Sequence, residues 1–197
     1  MSAALNCNIG FIGGGNMAQA LIGGLISRGL PPTRITVSDP VEKVRSLLAE
    51  KEVNVTDDNR AAIKNADIVV FAVKPQVLAE VLKPLQGLLD GKLVISIVAG
   101  AEIATLSALL GTDRIVRVMP NTPALVQTGA HGLFAKDEVK AEDRELASQV
   151  LASTGLTIWV DSEAQIDAVT AVSGSGPAYF FYMMESMIRA GKNMGLD

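Results

Sequence analysis

An α/β fold, a parallel sheet with helices on both faces followed by the start of an all-α region, is predicted by three observations. Short apolar, β-branched runs recur through residues 8–119 at the spacing of a strand–helix unit, with helical periodicity between them. Those runs are apolar almost throughout, as strands covered on both faces are. From Asp161 onward only helical patterns remain.

Taken in order, the strand-like runs are Asn8 to Ile12, Arg34 to Ser38, Ile68 to Val73, Lys92 to Val98 and Ile115 to Met119. The helical stretches between them are Asn16 to Arg28, Pro40 to Lys51, Asp58 to Asn65, Pro75 to Leu89 and Glu102 to Leu110. After Met119 a Pro-flanked turn precedes an expected strand at Gly132 to Ala135, a helix at Glu138 to Ser153 and a strand at Leu156 to Val160. Beyond Asp161, Glu163 to Val172 reads as a helix, Ser173 to Gly176 as a break, and Pro177 to Met194 as a long helix. Proline suits that helix's first position, where its missing N–H leaves nothing unpaired. Only Glu185, Arg189 and Lys192 mark a polar stripe on it, so most of its circumference is apolar and it is expected to be buried on several sides. Nothing later in the sequence covers it, which implies a second subunit or a natural continuation of the chain. The division expected is 1–160 for the α/β part and 161–197 for the beginning of a helical part.

Composition narrows the function. At 49% hydrophobic and 19% charged the chain has the material for a core and is not intrinsically disordered. A formal charge of −4 argues against a nucleic-acid surface. Cys7 has no second cysteine to pair with, and one cysteine with one histidine, His131, does not make a zinc site. Residues 1–27 contain no Asp, Glu, Lys or Arg, but six glycines and several amides interrupt them. They lack the basic start of a signal peptide and the unbroken apolar run of a membrane span. The expectation is a cytoplasmic protein with no membrane partner.

The strongest motif is I-G-F-I-G-G-G-N-M-A at residues 9–18, which contains G-x-G-x-x-A at Gly13, Gly15 and Ala18. It follows a predicted strand and opens a predicted helix, the context of a dinucleotide-binding turn in a doubly wound, Rossmann-type fold. Gly13 allows the tight turn, Gly15 admits the pyrophosphate to the backbone, and Ala18 lets helix and strand approach. The anion then rests on the helix N-terminus.

Asp39 closes the second strand, where an acidic residue commonly bonds the ribose 2′-OH of NAD. The same Asp39-Pro40-x-Glu42 also reads as a helix N-cap, N1 and N3. Ser38, with Lys43 or Arg45 nearby, instead suits the 2′-phosphate of NADP, so both cofactors stay open. Lys74 lies at a strand's carboxyl end and reads equally as ligand contact or solvated residue. His131, among small residues in a loop or strand start, reads as structural or solvated, and Cys7 as a small buried hydrophobe.

Four segments together resemble one family. F-I-G-G-G-N-M-A at 11–18, A-V-K-P-Q at 72–76, V-M-P-N-T-P-A at 118–124 and D-A-V-T-A-V-S-G-S-G-P-A-Y at 167–179 are similar to pyrroline-5-carboxylate reductases. The likeness runs in order through the whole chain, and the last two motifs are the specific ones. The resemblance implies reduction of the cyclic imine 1-pyrroline-5-carboxylate to L-proline with NADPH or NADH, usually NADPH, by a homodimer or larger homo-oligomer.

The same resemblance implies the site. Gly13, Gly15, Asn16 and Met17 hold the pyrophosphate. Ser38 and Asn59 lie along the adenosine ribose, with Asp39 beside them deciding nothing about the cofactor. Val73, Lys74 and Pro75 line the cofactor's path, and Ala99 with Gly100 lies near the nicotinamide. Asn121 sits beside the reacting centre, and Ser173, Gly174, Ser175, Gly176 and Pro177 form the junction where substrate enters. Ser173 to Gly176, at a helix start, offers backbone N–H groups to an anion. No acid–base residue and no metal are implied. A protonated imine is already electrophilic, so hydride transfer needs placement more than proton transfer. The family continues past this length with further helices and a Ser/Gly/Thr-rich loop that holds the substrate carboxylate. The expectation is therefore that the 197-residue chain binds NADP(H) but turns over more slowly than a longer version.

Two other functions compete with this one. A β-hydroxyacid dehydrogenase would carry a lysine in G-x-G-x-x-x-K, but here Gly174 and Gly176 are followed by Phe180. A non-catalytic NAD(P)-sensing module would bind cofactor without turning over any imine.

Overall fold

The computed structural model describes residues 5–197. Its centre is an eight-stranded sheet: β1 (Ile9–Ile12), β2 (Ile35–Ser38), β3 (Asn54–Thr56), β4 (Ile68–Phe71), β5 (Leu93–Ser96), β6 (Ile115–Met119), β7 (Gly129–Ala135) and β8 (Gly155–Trp159). The helices are α1 (Asn16–Ser27), α2 (Glu42–Ala49), α3 (Asn59–Ile63), α4 (Leu78–Leu82), α5 (Ile103–Leu110), α6 (Ala141–Ala152), α7 (Glu163–Val169) and α8 (Gly176–Asn193).

The strand order is β3-β2-β1-β4-β5-β6-β7-β8. The chain first winds outward from β1 to β3, then returns to β4 on the other side of β1. The topological switch therefore falls between β1 and β4; β2 and β4 flank β1, with Ile35 and Ile68 in register with Ile9. A doubly wound sheet binds its ligand in the crevice at that point.

Alternation along the strands builds two cores. Phe11, Val70, Ile95 and Val116 turn one way, onto Leu21, Leu25, Leu48 and Val150 of α1, α2 and α6. Ile12, Val69, Phe71 and Val94 turn the other way, onto Ile63, Leu82 and Leu106 of α3, α4 and α5. Each fully buried side chain of this kind contributes about 1.5–3 kcal/mol of transfer free energy.

Several sequence expectations need correction. β3 was not foreseen: it is three residues long and polar at Asn54 and Thr56, with no apolar run to mark it. The stretch Pro75–Leu89 is not one helix, because Pro84 opens a 3₁₀ turn at Lys83–Leu85 directly after α4. β7 runs antiparallel to β6, since only the short turn Thr122–Val126 joins them and a parallel crossover needs about a dozen residues. Ser173–Gly176 is no break. α7 passes through a π-helical turn at Thr170–Gly174 directly into α8. Pro177, having no N–H, cannot bond the carbonyl four residues back, and a wider turn accommodates it. As the sequence implied, nothing among the described residues covers α8, which has no buried residue: Phe180 is 67% exposed and Tyr182 72%.

Candidate functional site

Most sequence-derived site residues fall at or just after the carboxyl end of a strand: the glycine turn after β1, Ser38 and Asp39 at the end of β2, Asn59 after β3, Val73–Pro75 after β4, Ala99–Gly100 after β5 and Asn121 after β6, whereas Ser173–Pro177 lie where α7 runs into α8. Backbone ladders draw the first of these together. The Gly13 N–H donates to the Ser38 carbonyl at 2.8 Å, and the Ala72 N–H to the Ile12 carbonyl at 2.8 Å.

The glycine turn shows why its residue types matter. Gly13 has φ +98°, and a Cβ there would lie 2.7 Å from the Ala72 carbonyl oxygen and 3.2 Å from Val73. A side chain is excluded by both strain and contact. At Gly15 a Cβ would meet nothing within 4 Å, so that glycine is not required by the protein's own packing. Gly15 precedes α1, whose start has no side-chain cap and no acidic residue in its first turn. Open space beside an uncapped helix start fits a pyrophosphate.

At the second strand's end the helix-cap reading of Asp39 needs correction. Asp39 Oδ2 accepts the Gly14 N–H at 2.9 Å and Oδ1 the Val41 N–H at 2.9 Å, so its carboxylate braces the glycine turn. Val41, not Asp39, occupies the cap position of α2. Arg45 Nη1 donates to the Asp39 carbonyl at 2.7 Å. Ser38 is 1% exposed and its hydroxyl is given to Asn59 Oδ1, which leaves Asn59 as the more accessible of the pair.

Two joints link the sheet rim to the α7–α8 region. Asn121 Oδ1 accepts the Ala130 N–H at 2.9 Å, which turns the amide so that Nδ2 donates to Ser173 Oγ at 3.0 Å. Ser173 is thereby the acceptor and keeps its own proton to give. Gly174 adjoins the same place, since a Cβ on it would lie 2.7 Å from Met119 Cε. The Ser175 N–H, by contrast, bonds the Thr170 carbonyl at 2.9 Å. Because the helix runs on through this segment, it does not offer the open row of N–H groups that a helix start would.

The second joint was not foreseen in the sequence. Arg117, 2% exposed on β6, places Nη1 3.1 Å from Glu163 Oε1 and Nη2 2.8 Å from Asp167 Oδ1. Its only sequence signal is a cation inside the apolar run I-V-R-V-M.

His131 proves to be inside β7 and 1% exposed. Thr154 Oγ1 donates to the Leu151 carbonyl at 3.2 Å, so it accepts from His131 Nε2 at 3.0 Å. Nδ1 has no partner among the described residues, and burial lowers the pKa to about 4. Cys7 is buried as expected, and burial pushes its thiol pKa up. Among the described residues there is no cluster of three metal-ligating side chains, and no helix is long and apolar enough to cross a membrane.

Known proteins are similar to this chain along nearly its whole length. Residues 8–100 match the model of the NADP oxidoreductase, coenzyme F420-dependent, family, and residues 163–197 match pyrroline-5-carboxylate reductase dimerisation. The chain is 50% identical over 192 residues to a pyrroline-5-carboxylate reductase of Pseudomonas aeruginosa, covering 96% of this chain and 70% of that protein. A solved pyrroline-5-carboxylate reductase from Coxiella burnetii superposes with a TM-score of 0.89 at 43% identity, over 98% of this chain and 73% of that one. The Plasmodium falciparum pyrroline carboxylate reductase, solved with NADP bound, gives 0.87 at 33% identity, over 98% and 71% of the two chains.

Proposed function

The chain belongs to the pyrroline-5-carboxylate reductase family, and from that premise we propose how its residues divide the work. It is an NAD(P)H-dependent oxidoreductase that reduces 1-pyrroline-5-carboxylate to L-proline, the last step of proline biosynthesis. The boundary between the nucleotide-binding part (1–160) and the helical part (161–197) lies between β8 and α7.

Gly13, Gly15, Asn16 and Met17 hold the pyrophosphate of the cofactor, mainly by backbone. Asn59, backed by Ser38, faces the adenosine ribose, while Asp39 keeps the glycine turn in shape. Val73, Lys74 and Pro75 form the wall that continues from the turn, and Ala99 with Gly100 borders the nicotinamide. When bound, the reduced nicotinamide supplies the hydride.

Asn121 and the segment Ser173, Gly174, Ser175, Gly176 and Pro177 face the imine. The observation that carries this assignment is the Asn121–Ser173 hydrogen bond, in which Ser173 Oγ accepts and so keeps its hydroxyl proton to donate. That proton suits the substrate's carboxylate. Neither residue is an acid or base; both orient the ring, and orientation is what the reaction needs. The dehydrogenase alternative lacks its lysine, since Phe180 stands exposed on α8 instead.

The chain carries the family's dimerisation region and forms a homo-oligomer. The contact runs through the C-terminal helices, where Phe181, Met184 and Ile188 are all exposed. Apolar area of that kind is rarely left open on a monomer.

The test is oxidation of NADPH and of NADH by the protein with 1-pyrroline-5-carboxylate. The reading predicts imine-dependent oxidation with proline formed in equal amount. Cofactor binding with no imine-dependent oxidation would favour the sensing module.

A further inference from the structure

Arg117 lies in the middle of the sheet, on a strand paired with β5 at Ser96 and with β7 at Phe134. An apolar residue would fill a position in I-V-R-V-M without needing partners. A buried guanidinium needs them, and a buried ion pair often adds no stability over a well-packed apolar group. What it does add is direction, because a planar fork with fixed donors accepts only one placement of its carboxylates.

The partners tie together three pieces of the site. Glu163 Oε1 accepts from Arg117 Nη1 at 3.1 Å and from the Ile103 N–H at 2.7 Å. Ile103 is the first residue of α5, just after the Ala99–Gly100 loop. One carboxylate oxygen therefore joins the start of α5, the middle of β6 and the first turn of α7. Asp167, one turn further along α7, takes the other nitrogen of Arg117 at 2.8 Å. The two contacts set both the rotation of α7 and its position along the sheet. Six residues beyond Asp167 comes Ser173, and four beyond Arg117 comes Asn121, its hydrogen-bond partner.

We infer that Arg117 is a positioning residue for hydride transfer: through Glu163 and Asp167 it fixes the Ser173 segment against the Asn121 and Ala99–Gly100 loops. The inference rests on the reading of Asn121 and Ser173 as the substrate side.

The experiment compares wild type, Arg117→Met, Arg117→Lys, Asp167→Ala and Ser173→Ala. Each is measured for NADPH affinity by fluorescence titration, for kcat and KM with 1-pyrroline-5-carboxylate, and for melting temperature. Displacing a reacting group by about 1 Å costs up to about 100-fold in rate, so Arg117→Met is expected to lose roughly 10- to 100-fold in kcat with NADPH affinity unchanged. Arg117→Lys restores part of the loss. Asp167 has a side chain 68% exposed and its replacement leaves Arg117 its contact with Glu163, so Asp167→Ala is expected to fold with a smaller loss of melting temperature than Arg117→Met and to lower kcat a few-fold. Unchanged kcat in Asp167→Ala and in any folded Arg117 variant, with at most a shifted melting temperature, would overturn the inference and leave Arg117 purely structural. Ser173→Ala reports on the underlying reading separately: wild-type kinetics in that variant would reject the substrate role of Ser173 whatever Arg117 does.

Discussion

The rim of β1, β2 and β4 and the junction of β6 with α7 and α8 are built on opposite principles. At the first, the proposed ligand surface is backbone: glycines, an uncapped helix start, and ladder hydrogen bonds that hold them. At the second it is side chain: an amide, a hydroxyl and a buried arginine with two carboxylates, in which bonded partners stand as many as 52 residues apart. A backbone site tolerates change except where space must stay empty. A side-chain site depends on every member that orients another.

The contrast yields graded expectations. The largest effect belongs to the glycine turn. Gly15→Val is expected to keep the fold, because a Cβ there meets nothing within 4 Å, and to weaken NADPH binding by roughly 100-fold or more by filling the anion's place. Gly13→Val is the control, failing to fold well because its φ is +98° and the Ala72 carbonyl is 2.7 Å away. Circular dichroism melts beside NADPH titrations separate the two. If both variants fold and bind alike, the turn is not divided in this way.

Acid stability comes next. The folded pKa of His131 lies at about 4, below the ordinary 6.5, so the unfolded chain takes up the proton first as pH falls. Its contribution is whole above pH 6.5 and is lost progressively toward pH 4, amounting to about 3 kcal/mol in all. Urea midpoints of wild type between pH 7 and 4.5 should drop more steeply than those of His131→Gln. Parallel curves would mean that His131 gains a compensating partner.

Phe180→Glu, on the open face of α8, is expected to dissociate the oligomer with little change in NADPH affinity, read by light scattering beside titration. An oligomer that persists would move the contact away from this helix. The smallest effect is a pairwise one. Ser173→Ala should lower kcat about tenfold, since it removes one orienting hydrogen bond worth ~1.5 kcal/mol.

Much of the first region is legible in the sequence because its signals are local. The apolar runs mark β1, β2, β4, β5 and β6, and the glycines stand next to the strand they follow. The second region resists reading for physical reasons. Gly and Ser at 173–176 look like a break, yet a π turn carries the helix past Pro177. Nothing near Arg117 announces Glu163 or Asp167, since their meeting is decided by how α7 lies on the sheet. The apolar face of α8 is plain in the sequence, but burial within one chain does not follow from it. Asp39 carries a signal with two meanings, and the cap meaning misleads: its carboxylate holds the Gly14 and Val41 N–H groups while Val41 occupies the cap position of α2.

The most direct test of this division is NADPH titration and steady-state turnover of Gly15→Val and Ser173→Ala side by side. The account predicts that Gly15→Val loses NADPH affinity, while Ser173→Ala binds NADPH as wild type does and loses only turnover of 1-pyrroline-5-carboxylate. Equal losses of NADPH affinity in the two variants would contradict it.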